Sequence, residues 1–175
     1  MKHEIISGDK YIKADLPDDV RIIAPPHPIN KIIDIREQLA YALNNPIAHE
    51  PLSKLVNSSS KVVIAFDDAS GSYFETRSPD FRRVAIEFIF TELTKFGVKD
   101  SNITLICEGL HRKLTRLEME TFLGRKLVMQ FGYNRLYCHD AEDPDQLIHL
   151  GFTERGFDVE VNKALVEADQ FIYLN

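Results

Sequence analysis

A short segment in the second half of the chain, Cys107 to Thr115, carries the residue types best suited to chemistry. It leaves an apolar run, passes through Gly109, presents His111 and then enters a helix. An imidazole that titrates near neutrality is the natural base for the proton of a hydroxyl or an acidic C–H group. The carboxyl ends of strands are where open α/β sheets usually bind ligands. The pattern predicts a general base at His111; the structural alternative is a loop histidine hydrogen-bonded to a carbonyl group.

A second candidate is the irregular stretch from Asp67 to Pro79, which also follows an apolar run and precedes a helix. It combines acidic, hydroxylic and small residues with Arg77. Helix N-terminal amides and an arginine together bind carboxylates or phosphates well, so we expect an anion-binding loop. The alternative is a polar turn with an Arg–Asp surface pair. The glycine spacings of a Walker loop or a dinucleotide fingerprint are absent.

The hydrophobic pattern predicts the elements that position these two loops. Residues 61–66 and 102–107 are continuous apolar runs, as expected for strands buried on both faces. Between them, apolar residues at helical spacing run from Phe81 to Phe96, and Gly97 ends the helix. This order predicts a βαβ unit with parallel strands. Neighbouring strands lie about 5 Å apart, so both loops can face one pocket.

Further elements are expected on either side of this unit. A capping box at Thr115 and Glu118 opens a helix that breaks near Gly124. Strands are expected at 10–15, 20–25, 135–139, 146–152, 157–161 and 171–174, and helices at 30–44, 51–56 and 162–168. The whole predicts a single α/β domain over residues 1–175, Rossmann-like and layered, with a mostly parallel, mixed sheet and flanking helices.

Composition excludes several function classes. The 175 residues carry a formal net charge of -6, which argues against a nucleic-acid or membrane surface because both require a basic face. The N-terminus lacks the apolar region of a signal peptide, and we expect a cytoplasmic protein. The two cysteines, Cys107 and Cys138, form no disulfide framework. Neither they nor the histidines have the spacing of a zinc site.

Three ordered motifs resemble the N-terminal domain of the nickel-pincer lactate racemase family, over the chain from about Val20 onward. The family has a strand ending in Asp, then Thr-Arg-Pro at a helix start; a Gly-Thr-His-Arg motif before a Leu-Thr-x-x-Glu helix start; and a His-Asp with a later Val-Glu-Val-Asn stretch before Ala-Asp. The corresponding residues are Val62 to Asp67 with Thr76-Arg77-Ser78-Pro79, then Gly109 to Glu118, then His139-Asp140 with Val159 to Asp169.

The resemblance implies a 2-hydroxy-acid racemase or epimerase that uses a nickel pincer nucleotide derived from nicotinic acid. His111 matches one of two histidine bases, which take the hydroxyl proton while a hydride leaves the α-carbon and returns on the other face. Arg77 matches the arginine near the substrate carboxylate, and Asp67 matches the aspartate that supports the same region. From its position next to His111, and apart from the resemblance, Arg112 is a second candidate anion contact; the alternative is a solvated side chain. Asp68 and Thr76 are the residues we assign to the cofactor.

The departures from the family pattern matter equally. Eight residues, Asp68 to Glu75, separate Asp67 from Thr76, where the family has one, and Leu110 replaces the usual threonine. The second histidine, the cofactor-attaching lysine and the nickel-binding histidine are expected beyond Asn175. We therefore expect an incomplete enzyme, completed by a C-terminal domain, with no cofactor bound to this chain. The alternatives are a carboxylate- or phosphate-binding module without chemistry and a degenerate domain used for assembly.

Overall fold

The computed structural model describes residues 2–7, 10–23, 30, 32–68, 78–109 and 112–174. Within these ranges the strands are β1 Lys2–Ser7, β2 Lys10–Asp15, β3 Val62–Phe66, β4 Ile103–Cys107, β5 Leu136–Cys138, β6 Leu147–Phe152, β7 Asp158–Asn162 and β8 Gln170–Leu174. The helices are α1 Ile35–Asn44, α2 Leu52–Leu55, α3 Phe81–Lys95, α4 Arg116–Leu123, α5 Arg125–Arg135 and α6 Lys163–Glu167. None of the described helices is long and apolar enough to cross a membrane.

The central sheet has four strands in the order β5-β4-β3-β8, and every neighbouring pair is parallel. All five residues of β3 are buried, because a parallel sheet is covered on both faces. The α/β prediction with a mostly parallel sheet is therefore confirmed. The two antiparallel pairs, β1–β2 and β6–β7, are separate hairpins.

The core lies mainly on one face of this sheet. Alternate residues of β3, such as Ile64 and Phe66, pack there against the apolar sides of α3, α4 and α5. The opposite face is thinner: Val63, Ala65 and Ile106 pack against Tyr137 and α6. Truncation of a buried residue such as Ile64 to alanine would cost roughly 2–5 kcal/mol.

Helix boundaries next to the two candidate loops follow from local capping. Asp80 accepts a hydrogen bond from the Arg82 backbone N–H and opens α3. The capping box of α4 is present in both directions between Thr115 and Glu118, as predicted. Gly124 ends α4 with a φ of 80°, in the left-handed region that favours glycine.

The N-terminal third departs from the sequence-based prediction. The strand at 10–15 is present, but its partner is β1, with Lys2 opposite Asp15. Residues 20–23 of the predicted strand at 20–25 are not in a strand, and 24 and 25 lie outside the described residues. Helix α1 begins at Ile35 instead of Asn30, because the Asp34 carboxylate accepts from the N–H groups of the first turn and caps the helix there.

Candidate functional site

The ends of neighbouring parallel strands bring the two candidate segments to one edge of the sheet. Phe66 at the end of β3 is in register with Cys107 at the end of β4, and Cys107 with Cys138 at the end of β5. The Glu108 N–H donates to the Phe66 carbonyl at 2.8 Å, and the His139 N–H donates to the Cys107 carbonyl at 2.9 Å. The prediction that these loops leave the same edge is thus confirmed for their described residues.

Asp67, the first residue after β3, is held by the neighbouring strand β8. Its Oδ1 accepts a 2.6 Å hydrogen bond from the Tyr173 hydroxyl, and its N–H donates to the Leu174 carbonyl at 3.3 Å. The hydrogen bond to the Asp67 carboxylate, with the charge of Asp67 and of Glu108 nearby, raises the pKa of Tyr173 above its ordinary value. Two carboxylates and a phenol therefore meet at this edge, where a substrate carboxylate would need an opposing arginine.

Arg82 ties together the two ends of the stretch that separates Asp67 from α3. Its guanidinium donates to the carbonyls of Asp67 at 3.3 Å and Asp68 at 2.8 Å. The same group bonds both oxygens of Asp80, with Nε to Oδ1 at 2.8 Å and Nη2 to Oδ2 at 2.6 Å. This bidentate pairing, the strong geometry for arginine and a carboxylate, raises the pKa of Arg82.

The Arg82 clamp, which we define as Arg82 with Asp80 and the carbonyls of Asp67 and Asp68, is largely removed from water. The side chains of Arg82 and Asp80 are 12% and 5% exposed, and the guanidinium lies 4.7 Å from the centre of the Phe122 ring. Sequence analysis missed Arg82 because an arginine in the first turn of an amphipathic helix resembles any solvated charge. Its neighbour Asp80, a capping residue, was the only local signal.

Gly109, which follows β4, lies close to the backbone of neighbouring residues. A Cβ on Gly109 would lie 3.1 Å from the Arg112 carbonyl oxygen and 3.5 Å from that of His139, so a larger residue would require the neighbouring backbone to move by a few tenths of an ångström. The Arg112 guanidinium forms an ion pair with Glu118. That ion pair, followed by the bonds from Thr115, lowers the pKa of Glu118 to about 2. Arg112 is therefore engaged at the start of α4, and its contact with substrate stays a prediction.

Of the other predicted site residues, the structure describes Asp68 but not Thr76, Arg77 or His111. Asp68, whose carbonyl is part of the Arg82 clamp, is buried, and its role at the cofactor stays a prediction. Thr76, Arg77 and His111 lie outside the described residues. Their proposed roles rest on the sequence, while the described backbone fixes the starting points of their loops.

The described residues at the carboxyl edge do not form a nickel centre. Among described residues, one group of His, Asp and Glu side chains is close enough to hold a metal ion: His149, Asp158 and Glu160 in the β6–β7 hairpin, all exposed. At the edge itself, the Asp67 carboxylate is hydrogen-bonded to Tyr173, and Asp67 and Glu108 are not part of that group.

Comparison with known proteins identifies the family. The sequence model of the lactate racemase N-terminal domain matches residues 7–175. The chain belongs to this family. The lactate racemase of Thermoanaerobacterium thermosaccharolyticum is 29% identical over 175 residues, which cover 97% of this chain. The solved structure of the lactate racemase apoprotein from the same organism superposes with a TM-score of 0.68 and 26% identity over 99% of this chain.

The match to the lactate racemase concerns only part of that protein. The chain covers 38% of the curated relative and 38% of the solved chain. It therefore corresponds to the N-terminal part of a lactate racemase.

Proposed function

We propose that this chain is the substrate-side domain of a 2-hydroxy-acid racemase or epimerase that is completed by a C-terminal part. Membership of the lactate racemase N-terminal domain family supports the reaction class. The motif that contains Arg77 follows β3 and the motif that contains His111 follows β4, and these are neighbouring strands of the same parallel sheet. A substrate bound at this edge can meet groups from both loops at once.

In this proposal His111 is the general base. It takes the proton of the substrate hydroxyl and returns it after the α-carbon has inverted, a role that suits an imidazole titrating near neutrality. Arg77 holds the substrate carboxylate, for which a planar guanidinium offers two parallel hydrogen bonds. In the complete protein, a nickel pincer nucleotide would supply the hydride acceptor.

Asp67 has a supporting role at the same edge. Its Oδ1 is occupied by the Tyr173 hydroxyl, and its carbonyl accepts from Arg82. The aspartate is therefore fixed by two elements outside its own loop, β8 and α3. A fixed carboxylate can orient an arginine or a hydroxyl without reorganisation during the reaction. This pinned aspartate, one strand away from the segment that carries His111, is the observation that carries the proposal.

The test uses the complete protein, prepared with and without its nickel cofactor. Each enantiomer of lactate and of larger 2-hydroxy acids is incubated with it, and the products are separated by chiral chromatography. We expect racemisation that requires the loaded enzyme and is lost in Arg77→Ala. Calorimetry on the same preparations separates the alternative function: 2-hydroxy-acid binding without any racemisation by the loaded enzyme would contradict the proposal and favour a carboxylate-binding module.

A further inference from the structure

The two cysteines of the chain end neighbouring strands. Cys107 is the last residue of β4 and Cys138 the last of β5, and the two are Cα partners in a parallel register. Both are free and buried, with relative exposures of 0% and 9%, and both face the main core. Adjacent strands lie about 4.8 Å apart, and a disulfide joins Cα atoms about 4.4–6.8 Å apart. The backbone spacing therefore already suits a cross-link.

The two cysteine side chains interact electrostatically, and Cys138 is also hydrogen-bonded to Leu114, just before α4. The Cys107 thiol donates to the Glu108 carbonyl at 3.5 Å, and its interaction with Cys138 raises the pKa of Cys107 and lowers that of Cys138. The Cys138 sulfur accepts from the Leu114 N–H at 3.3 Å, and its thiol donates to the Leu114 carbonyl at 3.6 Å. Leu114 immediately precedes the capping box of α4. The hydrogen bonds between Cys138 and Leu114 therefore help to fix the path of the chain into that helix.

The pKa values of the two thiols are shifted in opposite directions. The interaction with the Cys107 thiol, opposed by burial and aided by the Leu114 N–H, lowers the pKa of Cys138 to about 7. The same interaction and burial raise the pKa of Cys107. Because the thiolate is the nucleophile, we expect Cys138, the residue that is 9% exposed, to react before the fully buried Cys107.

We propose that Cys107 and Cys138 form a peroxide-reactive dithiol, a modification site in which hydrogen peroxide converts the two thiols into a disulfide between β4 and β5. The Cys138 thiolate attacks one peroxide oxygen, the O–O bond breaks, and hydroxide leaves with the electron pair and is protonated to water. The Cys107 sulfur then attacks the Cys138 sulfenic acid, and a second water leaves after protonation. Two thiols are oxidised and one peroxide is reduced to two waters.

The disulfide changes the segment before α4. Drawing the Cys138 sulfur toward Cys107 weakens its hydrogen bond from the Leu114 N–H, next to the Thr115 cap of α4. The segment before α4 contains His111 in the sequence. The effect on catalysis rests on the proposed function, but the oxidation chemistry does not.

The test measures thiols and mass, so its outcome is independent of racemase activity. The folded full-length protein is titrated with hydrogen peroxide and then analysed by thiol counting under denaturing conditions and by peptide mass spectrometry. We expect Cys107 and Cys138 to be lost together, with a cross-linked peptide pair about 2 Da lighter, and dithiothreitol to restore both. In Cys107→Ser the disulfide cannot form, and Cys138 should instead gain oxygen in steps of about 16 Da.

Two results would overturn the proposal. One is sulfinic or sulfonic acid at Cys138 in the unmodified sequence with no cross-link. The other is a pair of intact thiols in folded protein at a peroxide dose that oxidises the urea-unfolded chain. Hydrogen exchange at the Leu114 amide tests the coupling: we expect several-fold faster exchange in the oxidised protein, and an unchanged rate would contradict the link to this segment.

Discussion

The Tyr173 hydroxyl donates a 2.6 Å hydrogen bond to Oδ1 of Asp67, across the neighbouring strands β8 and β3. The last strand of the described chain thus fixes the first residue of the loop that follows the central strand. Both residues lie at the carboxyl edge, where the segment after β4 also begins. The relationship joins sheet topology to the candidate site, because β8 must pair in parallel next to β3 to bring this phenol within reach.

The Tyr173 phenol should report directly on this contact. We expect it to stay protonated above the ordinary tyrosine pKa of about 10, and Asp67→Asn to move its titration back toward that value because the accepting charge is gone. The measurement is a pH titration with isotope-labelled tyrosine, assigned with Tyr173→Phe. A Tyr173 pKa that is the same with aspartate or asparagine at position 67 would refute the assignment.

The raised pKa also has a consequence for stability with a definite sign. Because the folded protein holds the phenolic proton more tightly than the unfolded chain does, the contribution is fully present below the unfolded pKa of about 10. It is lost as the pH rises further, toward the folded pKa. Urea denaturation at increasing alkaline pH should therefore show a steeper loss of stability in the unmodified protein than in Tyr173→Phe. Parallel curves would contradict this.

Removing the Arg82 clamp should destabilise the domain strongly. In Arg82→Ala the Asp80 carboxylate, 5% exposed, loses its bidentate guanidinium, and two backbone carbonyls lose a donor. Breaking a buried pair on one side costs about 3 kcal/mol, which urea denaturation would measure as a lower free energy of unfolding.

The chain offers a matched control one residue away. Arg83 pairs with Glu87 at 3.0 Å on the same helix, but both side chains are about one-third exposed. Arg83→Ala should therefore cost less than about 1 kcal/mol. Equal losses in the two variants would show that the Arg82 clamp contributes no more than a surface ion pair.

Glu118 at the start of α4 should make the stability of the fold depend on pH in the acid range. Its pKa is lowered to about 2, first by Arg112 and then by Thr115. A depressed carboxyl pKa stabilises the fold above the unfolded value of about 4.3, and this stabilisation is lost as the pH falls toward the folded value. Carboxyl titration by NMR should find Glu118 ionised below pH ~4, and Arg112→Ala should raise its pKa. A Glu118 pKa that is the same in Arg112→Ala as in the unmodified protein would contradict the ion pair between these residues.

A stability comparison checks the same point. Glu118→Gln should flatten the loss of stability on acidification, while Glu120→Gln, on the same helix but outside the capping box, should leave it nearly as it is. If the two variants respond to acid alike, the effect comes from general surface charge and not from the capping box.

Patterns local in the sequence predicted much of this structure. The apolar runs of β3 and β4, the helical spacing of α3 and the capping box at Thr115 each depend on residues close together in the chain, and all are present. The start of α1 was misplaced because Ile32 and Ile33, which suggested a longer apolar face, are exposed. A capping aspartate decided that boundary instead.

The contacts that build the candidate site were beyond such patterns. Tyr173 and Asp67 are 106 positions apart, and their hydrogen bond depends on strand order, which periodicity does not specify. The same holds for the contact between Cys107 and Cys138, set by the register of β4 and β5. The sequence could supply residue types at strand ends, while the topology decided which of them meet.

In the proposed racemase, the segment after β4 supplies the general base, His111. The most direct test is His111→Ala in the complete, cofactor-loaded protein. The measurement is the racemisation rate together with the melting temperature, with His149→Ala in the exposed hairpin as the control. Loss of a general base should lower kcat by about 10²–10⁴-fold, with a melting temperature within about 3 °C of the original and normal activity in the control. An unchanged rate in His111→Ala, or a rate that falls only together with the melting temperature, would contradict the claim.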